Sequence, residues 1–400
     1  MKNALTAALV LATASSAWAQ TQYTGSGNPT AAEQLVLEII NRARANPTAE
    51  GTRLSTTAVS GNPSLTNGLS AGIPGGNIAE GLVAPDNVVG ARPPLAMNAI
   101  LRSSAQSHCN DLYNNDLFQH NSSNGTIFST RIKNAGYNWQ VPGGMVGENI
   151  AYAGGSAPGV HGTAEQLENI LMIDEGIGGR GHRVNLLNTH DPPYFREIGI
   201  FYLHHDTPTA TKQMTDLVTQ DFGTIPANGP FILGVVFDDN GNNFYDIGEG
   251  LSGVTVRLNP PGAFYAVTGT AGGYAFPYSG GGSVIVEATG GVFGTGVATK
   301  VVALTGENIK VDFKPSDLTD SDTDGLTDAW EMAHFGNLLQ TATDDPDGDT
   351  FTNLQEMNAG TDPLNSSSVP SSGGGGGGGC GLTGLEAFLA MALLRVRRRR

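Results

Sequence analysis

Cysteine is nearly absent: Cys109 and Cys380 are the only two in 400 residues, and they lie in different segments. That excludes an intramolecular disulfide framework, so stability has to come from packing and from bound metal. Bases are scarce as well, with 21 Lys and Arg against 37 Asp and Glu and a net charge of −16. Lys2 and the arginines at 395 and 397–400 occupy the extreme ends, so the body of the chain is more acidic still. Such a surface excludes nucleic acid as a partner and favours divalent cations. No Lys or Arg occurs between Pro315 and Leu394. An apolar run long enough for a comfortable membrane span is also missing. The length predicts two or three domains.

The two ends are expected to be export signals. Lys2, the apolar run Ala4–Ala14 and Ala17-Trp18-Ala19 before Gln20 predict a secretory signal peptide over 1–19. The other end has the glycine run Gly373–Gly379 within a linker at 369–379, then Cys380, an apolar stretch from Leu382 to Leu394 carrying Glu386, and the arginines. Arginines beyond an apolar stretch hold that end in the cytoplasm. Residues 380–400 resemble bacterial sorting tails of the GlyGly-CTERM and Myxo-CTERM kind, which are cut by a membrane protease. The resemblance implies a bacterial protein, secreted or at the cell surface, whose tail contacts the membrane transiently. A stable membrane anchor is the alternative.

Residues 315–368 carry two carboxylate ladders. The first places Asp320, Asp322, Asp324, Leu326, Asp328 and Glu331 at positions 1, 3, 5, 7, 9 and 12 of a twelve-residue loop, with Gly325 at position 6. That is the EF-hand pattern, in which position 7 gives its carbonyl, Gly makes the sharp turn and Glu binds bidentately. The second ladder reads Asp345, Asp347, Asp349, Phe351, Asn353 and Glu356, with Thr350 in place of the turn glycine. A structural calcium ion would relieve the mutual repulsion of so many carboxylates. Trp330, Phe335, Leu338 and Leu339 offer a small core. The segment ending Gly360-Thr-Asp-Pro-Leu364 resembles bacterial dockerin-like and thrombospondin type-three repeats, which bind calcium structurally.

A third loop has Asp238, Asn240, Asn242, Phe244, Asp246 and Glu249 in the same positions, with Asn243 at the turn. Period-two apolar segments at Ile232–Val236, Val254–Leu258, Tyr274–Tyr278, Val284–Ala288 and Ile309–Phe313 surround it. They predict an antiparallel, immunoglobulin-like β-sandwich over 229–314. The phrase GVVFDDNGNNFYDIGEGLSGVTVRL with TAGGYAFPY resembles the SdrD-type B repeat of bacterial surface proteins, which implies a calcium-stiffened stalk.

Residues 20–228 hold the remaining chemistry. Thr30-Ala-Ala-Glu33 is a capping box, and Leu35, Val36, Ile39, Ile40 and Ala43 form one helical face that Asn46-Pro47 should end. Gly51–Pro93 reads as an exposed insertion, and Leu101, Ala105, His108 and Leu112 mark a second amphipathic helix. His108 and Cys109 are expected in the packing, and His161, His190, His204 and His205 on the surface. The phrases PPLAMNAILRSSAQSH, FQH, RIKNAGY, GENIA, GHRVNLL, EIGIFY and TQDFG follow in that order. Together they resemble the CAP superfamily of cysteine-rich secretory proteins, antigen 5 and pathogenesis-related proteins.

That resemblance implies an α-β-α sandwich with a cleft of two histidines and two acids. By motif these are His120, Glu148 and His182, with Asp174 or Glu175 as the fourth. The chain departs from the pattern at Asn121, where Ser is usual, and in lacking the usual Trp before Asp174. Two imidazoles with one or two carboxylates suit zinc or another divalent cation, with a position left for water. The fold class expected is therefore multidomain: a CAP α-β-α sandwich, an immunoglobulin-like β-sandwich and a small EF-hand-like calcium segment. The function expected is binding of an extracellular ligand, lipid or protein through the cleft. A metal-dependent extracellular hydrolase and a surface adhesin or structural stalk protein are the alternatives.

Overall fold

The computed structural model describes residues 20–56, 72–154, 162–205, 214–294, 296–318, 320, 322, 324–359 and 361–370. The expected signal peptide, most of the glycine linker and the sorting tail, with Cys380, lie outside these, as does His161. Among the described residues no helix is long and apolar enough to cross a membrane. The chain forms two compact units, divided between Leu338 and Leu339.

In the first unit a short strand β1 (Thr21–Gln22) precedes α1 (Ala31–Ala45). The capping box is closed: Thr30 N donates to Glu33 Oε2 at 2.7 Å, and Glu33 N to Thr30 Oγ1 at 3.3 Å. Such caps are worth about 1 kcal/mol. Asn46 ends α1, and Pro47 at once starts α2 (Pro47–Thr56), because its fixed φ suits a first helical turn. β2 (Ala96–Met97), α3 (Ala99–Asn115), α4 (Phe128–Asn134), β3 (Met145–Gly154), α5 (Ala164–Ile173), α6 (Gly181–Leu187), β4 (Glu197–His204) and β5 (Met214–Thr224) follow.

These strands make one sheet in the order β2-β4-β5-β3. Alternate residues of β4 and β5 serve opposite faces. Ile198, Ile200, Val218 and Phe222 pack with Val36 and Ile40 of α1, Leu167 and Leu171 of α5, and Leu186 of α6. On the other face Met214 and Leu217 meet Cys109 and Leu112 of α3. α3 crosses so close to β4 that a Cβ on Gly199 would lie 2.0 Å from Arg102 N, so only glycine fits there. The result is a helix-sheet-helix layering, each fully buried aliphatic contributing about 1.5–3 kcal/mol.

The second half of the unit is a β-sandwich. Its strands are β6 (Phe231–Val235), β7 (Thr255–Asn259), β8 (Phe264–Val267), β9 (Gly273–Pro277), β10 (Gly282–Thr289), β11 (Val297–Leu304) and β12 (Ile309–Lys310). One sheet runs β1-β8-β7-β10-β11, the other β12-β6-β9. The pairing is not wholly antiparallel as expected, because β1 with β8 and β12 with β6 are parallel.

This sandwich is not a spacer set apart from the N-terminal layers. β1, just beyond the expected signal cleavage point, completes one of its sheets, with Thr21 opposite Phe264. Every residue of β6 is buried. Ile232 faces the sandwich core, whereas Phe231 and Leu233 pack on Ala96, and Val235 packs on Leu35 and Ile39 of α1. Asn308 Nδ2 donates to Pro94 O at 2.9 Å and to Arg196 O at 2.8 Å across the same seam. The stretch FILGVVF, expected as a period-two segment, is a continuous apolar run, which suits a strand buried on both faces.

The segment expected as one repeat region is shared between the units. α7 (Asp328–His334) follows the first acidic loop, and α8 (Asn353–Ala359) follows the second.

Candidate metal centres

The first two acidic loops share one local geometry. Position 1 caps position 6: Asp320 Oδ2 accepts from Gly325 N at 3.0 Å, and Asp345 Oδ2 from Thr350 N at 2.9 Å. Position 5 caps position 7: Asp324 Oδ1 accepts from Leu326 N and Asp349 Oδ1 from Phe351 N, both at 2.8 Å. These turns leave the second oxygen of Asp320, Asp324 and Asp349 without a protein partner, whereas Asp345 also accepts from Gly348 N at 2.9 Å through its Oδ1. The turn residue has positive φ in all three loops, +96° at Gly325, +84° at Thr350 and +58° at Asn243. Thr350 thus holds a conformation that β-branched residues rarely adopt.

Asp320, Asp322 and Asp324 bring ligand oxygens within 4.8 Å of one another, and so do Asp345, Asp347 and Asp349. Beside each triplet sits the position-12 glutamate, and Glu331 and Glu356 are both fully buried. Both Glu331 oxygens, Glu356 Oε2, Asp320 Oδ1, Asp324 Oδ2, Asp347 Oδ2, Asp349 Oδ2 and Asn353 Oδ1 are buried without a protein partner. Burial and then the neighbouring aspartates push the Glu331 carboxyl up to about 7. Burial, followed by like charge, also raises Asp322 and Asp347, and Glu356 rises chiefly by burial. Orphaned buried acceptors gathered around one point require a cation or protons. Asp328, the position-9 residue of the first loop, opens α7.

The third loop differs. Asn242 Oδ1 accepts from Phe244 N at 2.8 Å as in the other two, but the chain itself engages the acids. Glu249 accepts from Asn240 N at 3.1 Å and Asp246 N at 2.8 Å. Asp246 Oδ2 accepts from the amides of Asn240 at 2.9 Å and Asn242 at 2.8 Å. The Lys314 ammonium lies 2.6 Å from Asp239. Of the expected ligands Asp238, Asn240, Asn242, Phe244, Asp246 and Glu249, the side-chain oxygens of Asn240, Asn242, Asp246 and Glu249 are engaged in hydrogen bonds within the loop. Among the described residues the clusters of three acids are the two Asp triplets alone.

In the N-terminal layers the fold does bring the cleft residues together. His120 and His182 have ring centroids 6.5 Å apart. Each carboxylate belongs to its own histidine: Glu148 Oε1 is 2.8 Å from His120 Nδ1, and Asp174 Oδ1 is 2.7 Å from His182 Nδ1. Asp174, rather than Glu175, faces His182, and its Oδ2 also accepts from His182 N at 2.9 Å. Nδ1 of each ring is thus engaged by a carboxylate, and Glu148 and Asp174 fix the orientation of the two imidazoles. The four side chains do not converge as one ligand set.

Three residues around Glu148 were not anticipated. Arg131 pairs with its Oε2. His108, buried and bonded to Gln119 O at 3.1 Å, lies 3.9 Å from the same oxygen, and burial lowers its pKa. Asp221 stands directly opposite Glu148 in the β3–β5 ladder, and burial, then Glu148, holds its carboxyl well above the usual range. Arg131 and Asp221 lie within the phrases RIKNAGY and TQDFG, and His108, expected only as a packing residue, ends PPLAMNAILRSSAQSH. An open cleft of about 740 Å³ leads to this site, walled by Ile127, Phe128, Met145 and Phe195. His190, expected on the surface, lines it too. His204 pairs with Asp216 at 2.5 Å, and His205 stacks on Tyr113.

Residues 320–336 and 345–366 match the bacterial TSP3 repeat family. Among solved structures, the chain is similar to an extracellular protein containing a SCP domain from Bacillus anthracis str. Ames. The identity is 24% and the TM-score 0.23, over 32% of this chain and 33% of that one. The chain thus spans about a third of that protein's length. No curated protein matches it.

Proposed function

We propose that this is a secreted or cell-surface bacterial protein in which a CAP-type cleft binds an extracellular ligand, lipid or protein, and calcium stabilises the acidic repeats. The observation that carries the calcium reading is Glu331: both oxygens are buried and unpartnered beside Asp320, Asp322 and Asp324. The TSP3 match over the same residues supports it. Calorimetric titration of the full secreted chain with calcium should show two sites, with Glu331→Gln and Glu356→Gln each removing one. Binding unchanged in both variants would overturn the assignment.

The pair of histidines favours a second metal. Two imidazoles, each fixed at Nδ1 by a carboxylate, suit zinc, which would supply a Lewis-acidic centre with room for water. In that reading His120 and His182 hold the ion, while Glu148 and Asp174 fix their tautomers. A hydrolase acting on extracellular polymer is the runner-up function that this site supports.

A further inference from the structure

A second cavity, of about 350 Å³, opens between α3 and the chain leading into α4. Its walls are hydroxyl and amide: Ser103, Ser104 and Ser107 from α3, and Ser122, Asn124 and Thr126 from the loop before α4. Arg131 also lines it, and Arg131 is 7% exposed with its Nε donor buried and unpartnered. Its other nitrogens are taken, Nη1 by Ser122 Oγ at 3.2 Å and Nη2 by Glu148. Arg131 therefore enters the wall as a fixed guanidinium held by Ser122 and Glu148.

The lining decides the ligand class. An apolar guest would strip water from these hydroxyls and amides and return no hydrogen bonds. An anion gains little, because Glu148 already balances Arg131 and the chain carries a charge of −16. A neutral molecule dense in hydroxyl groups can both donate to and accept from such walls. We propose that this cavity binds a neutral sugar residue, held by the serine, threonine and amide side chains that line it beside Arg131. Arg131 is then a wall shared with the histidine cleft, through its pair with Glu148.

Saturation-transfer NMR on the full secreted chain, with glucose and N-acetylglucosamine as probes, tests this. Transfer to the ring protons of at least one probe is expected. Ser107→Leu, at an exposed helix position, should weaken binding about tenfold with an unchanged melting temperature, and Asn124→Ala should weaken it in the same direction. No transfer from either sugar, or equal transfer in both variants, would overturn the proposal. So would displacement of the sugar by inorganic phosphate, which would make the cavity an oxyanion site.

Discussion

Lys310 of β12 and Glu38 of α1 meet at 2.8 Å, joining the β-sandwich to the helical layer through a largely buried ion pair. Gln34 Nε2 donates to the other Glu38 oxygen at 2.7 Å, and Lys310 also pairs with Asp312. Burial alone would lower the Lys310 pKa, but Glu38 and Asp312 outweigh it and hold the ammonium above its ordinary range. Lys310→Met would strand Glu38, which is 3% exposed, and removing one partner of a buried pair costs about 3–5 kcal/mol. Urea unfolding of the full chain should show that loss, largely recovered in the Lys310→Met/Glu38→Gln double variant. A loss below about 1 kcal/mol would mean that the seam does not depend on the pair.

Calcium and pH should act on Glu331 in opposite senses. Its folded carboxyl titrates near 7, above its ordinary value of 4.5, so without calcium the loop is most stable when Glu331 is protonated. That stability is present below the unfolded value and is lost as pH rises through about 7. In chelator, melting of the full chain should therefore move upward on acidification from pH 8 to pH 5. With saturating calcium, which requires the carboxylate, the trend should flatten or reverse. Parallel pH profiles with and without calcium would contradict this.

Thr350 is the strained member of the three turns. Left-handed backbone costs an L-residue roughly 1–2 kcal/mol, and glycine returns part of that as chain entropy, roughly 0.5–1 kcal/mol. Thr350→Gly should therefore tighten calcium binding at Asp345–Glu356 by several-fold, read by calorimetry. Weaker binding would show that Thr350 makes a contact worth more than its strain.

The histidine pair predicts a graded response to zinc. His120→Ala and His182→Ala should each abolish most binding to the full chain, and Asp174→Asn should weaken it by about 10–100-fold. Affinity should fall on acidification, because neutral imidazole is the binding form. If the parent takes up no zinc at micromolar concentration, the cleft is a hydrogen-bond network holding its loops.

The sequence alone determined what depends on local spacing. Acids at alternate positions, followed by a turn residue and a terminal Glu, specify a metal loop within twelve residues, and the Thr30 capping box and the period-two strands are equally local. It also named His120, Glu148 and His182, because each lies in its own short phrase. Only the tertiary structure decided what depends on distant partners. Asp174 was chosen over Glu175 by a left-handed turn at the end of α5, which aims its carboxylate at His182. Arg131, His108 and Asp221 come from separate elements and meet only when α3, α4 and the β3–β5 ladder are assembled around Glu148. The β-sandwich, expected as a stalk, packs on α1 because both faces of β6 are apolar and its second face needs a partner. The third loop keeps the ligand spacing of the others, yet the side-chain oxygens of Asn240, Asn242, Asp246 and Glu249 accept from amides of the loop itself, and spacing does not record those bonds.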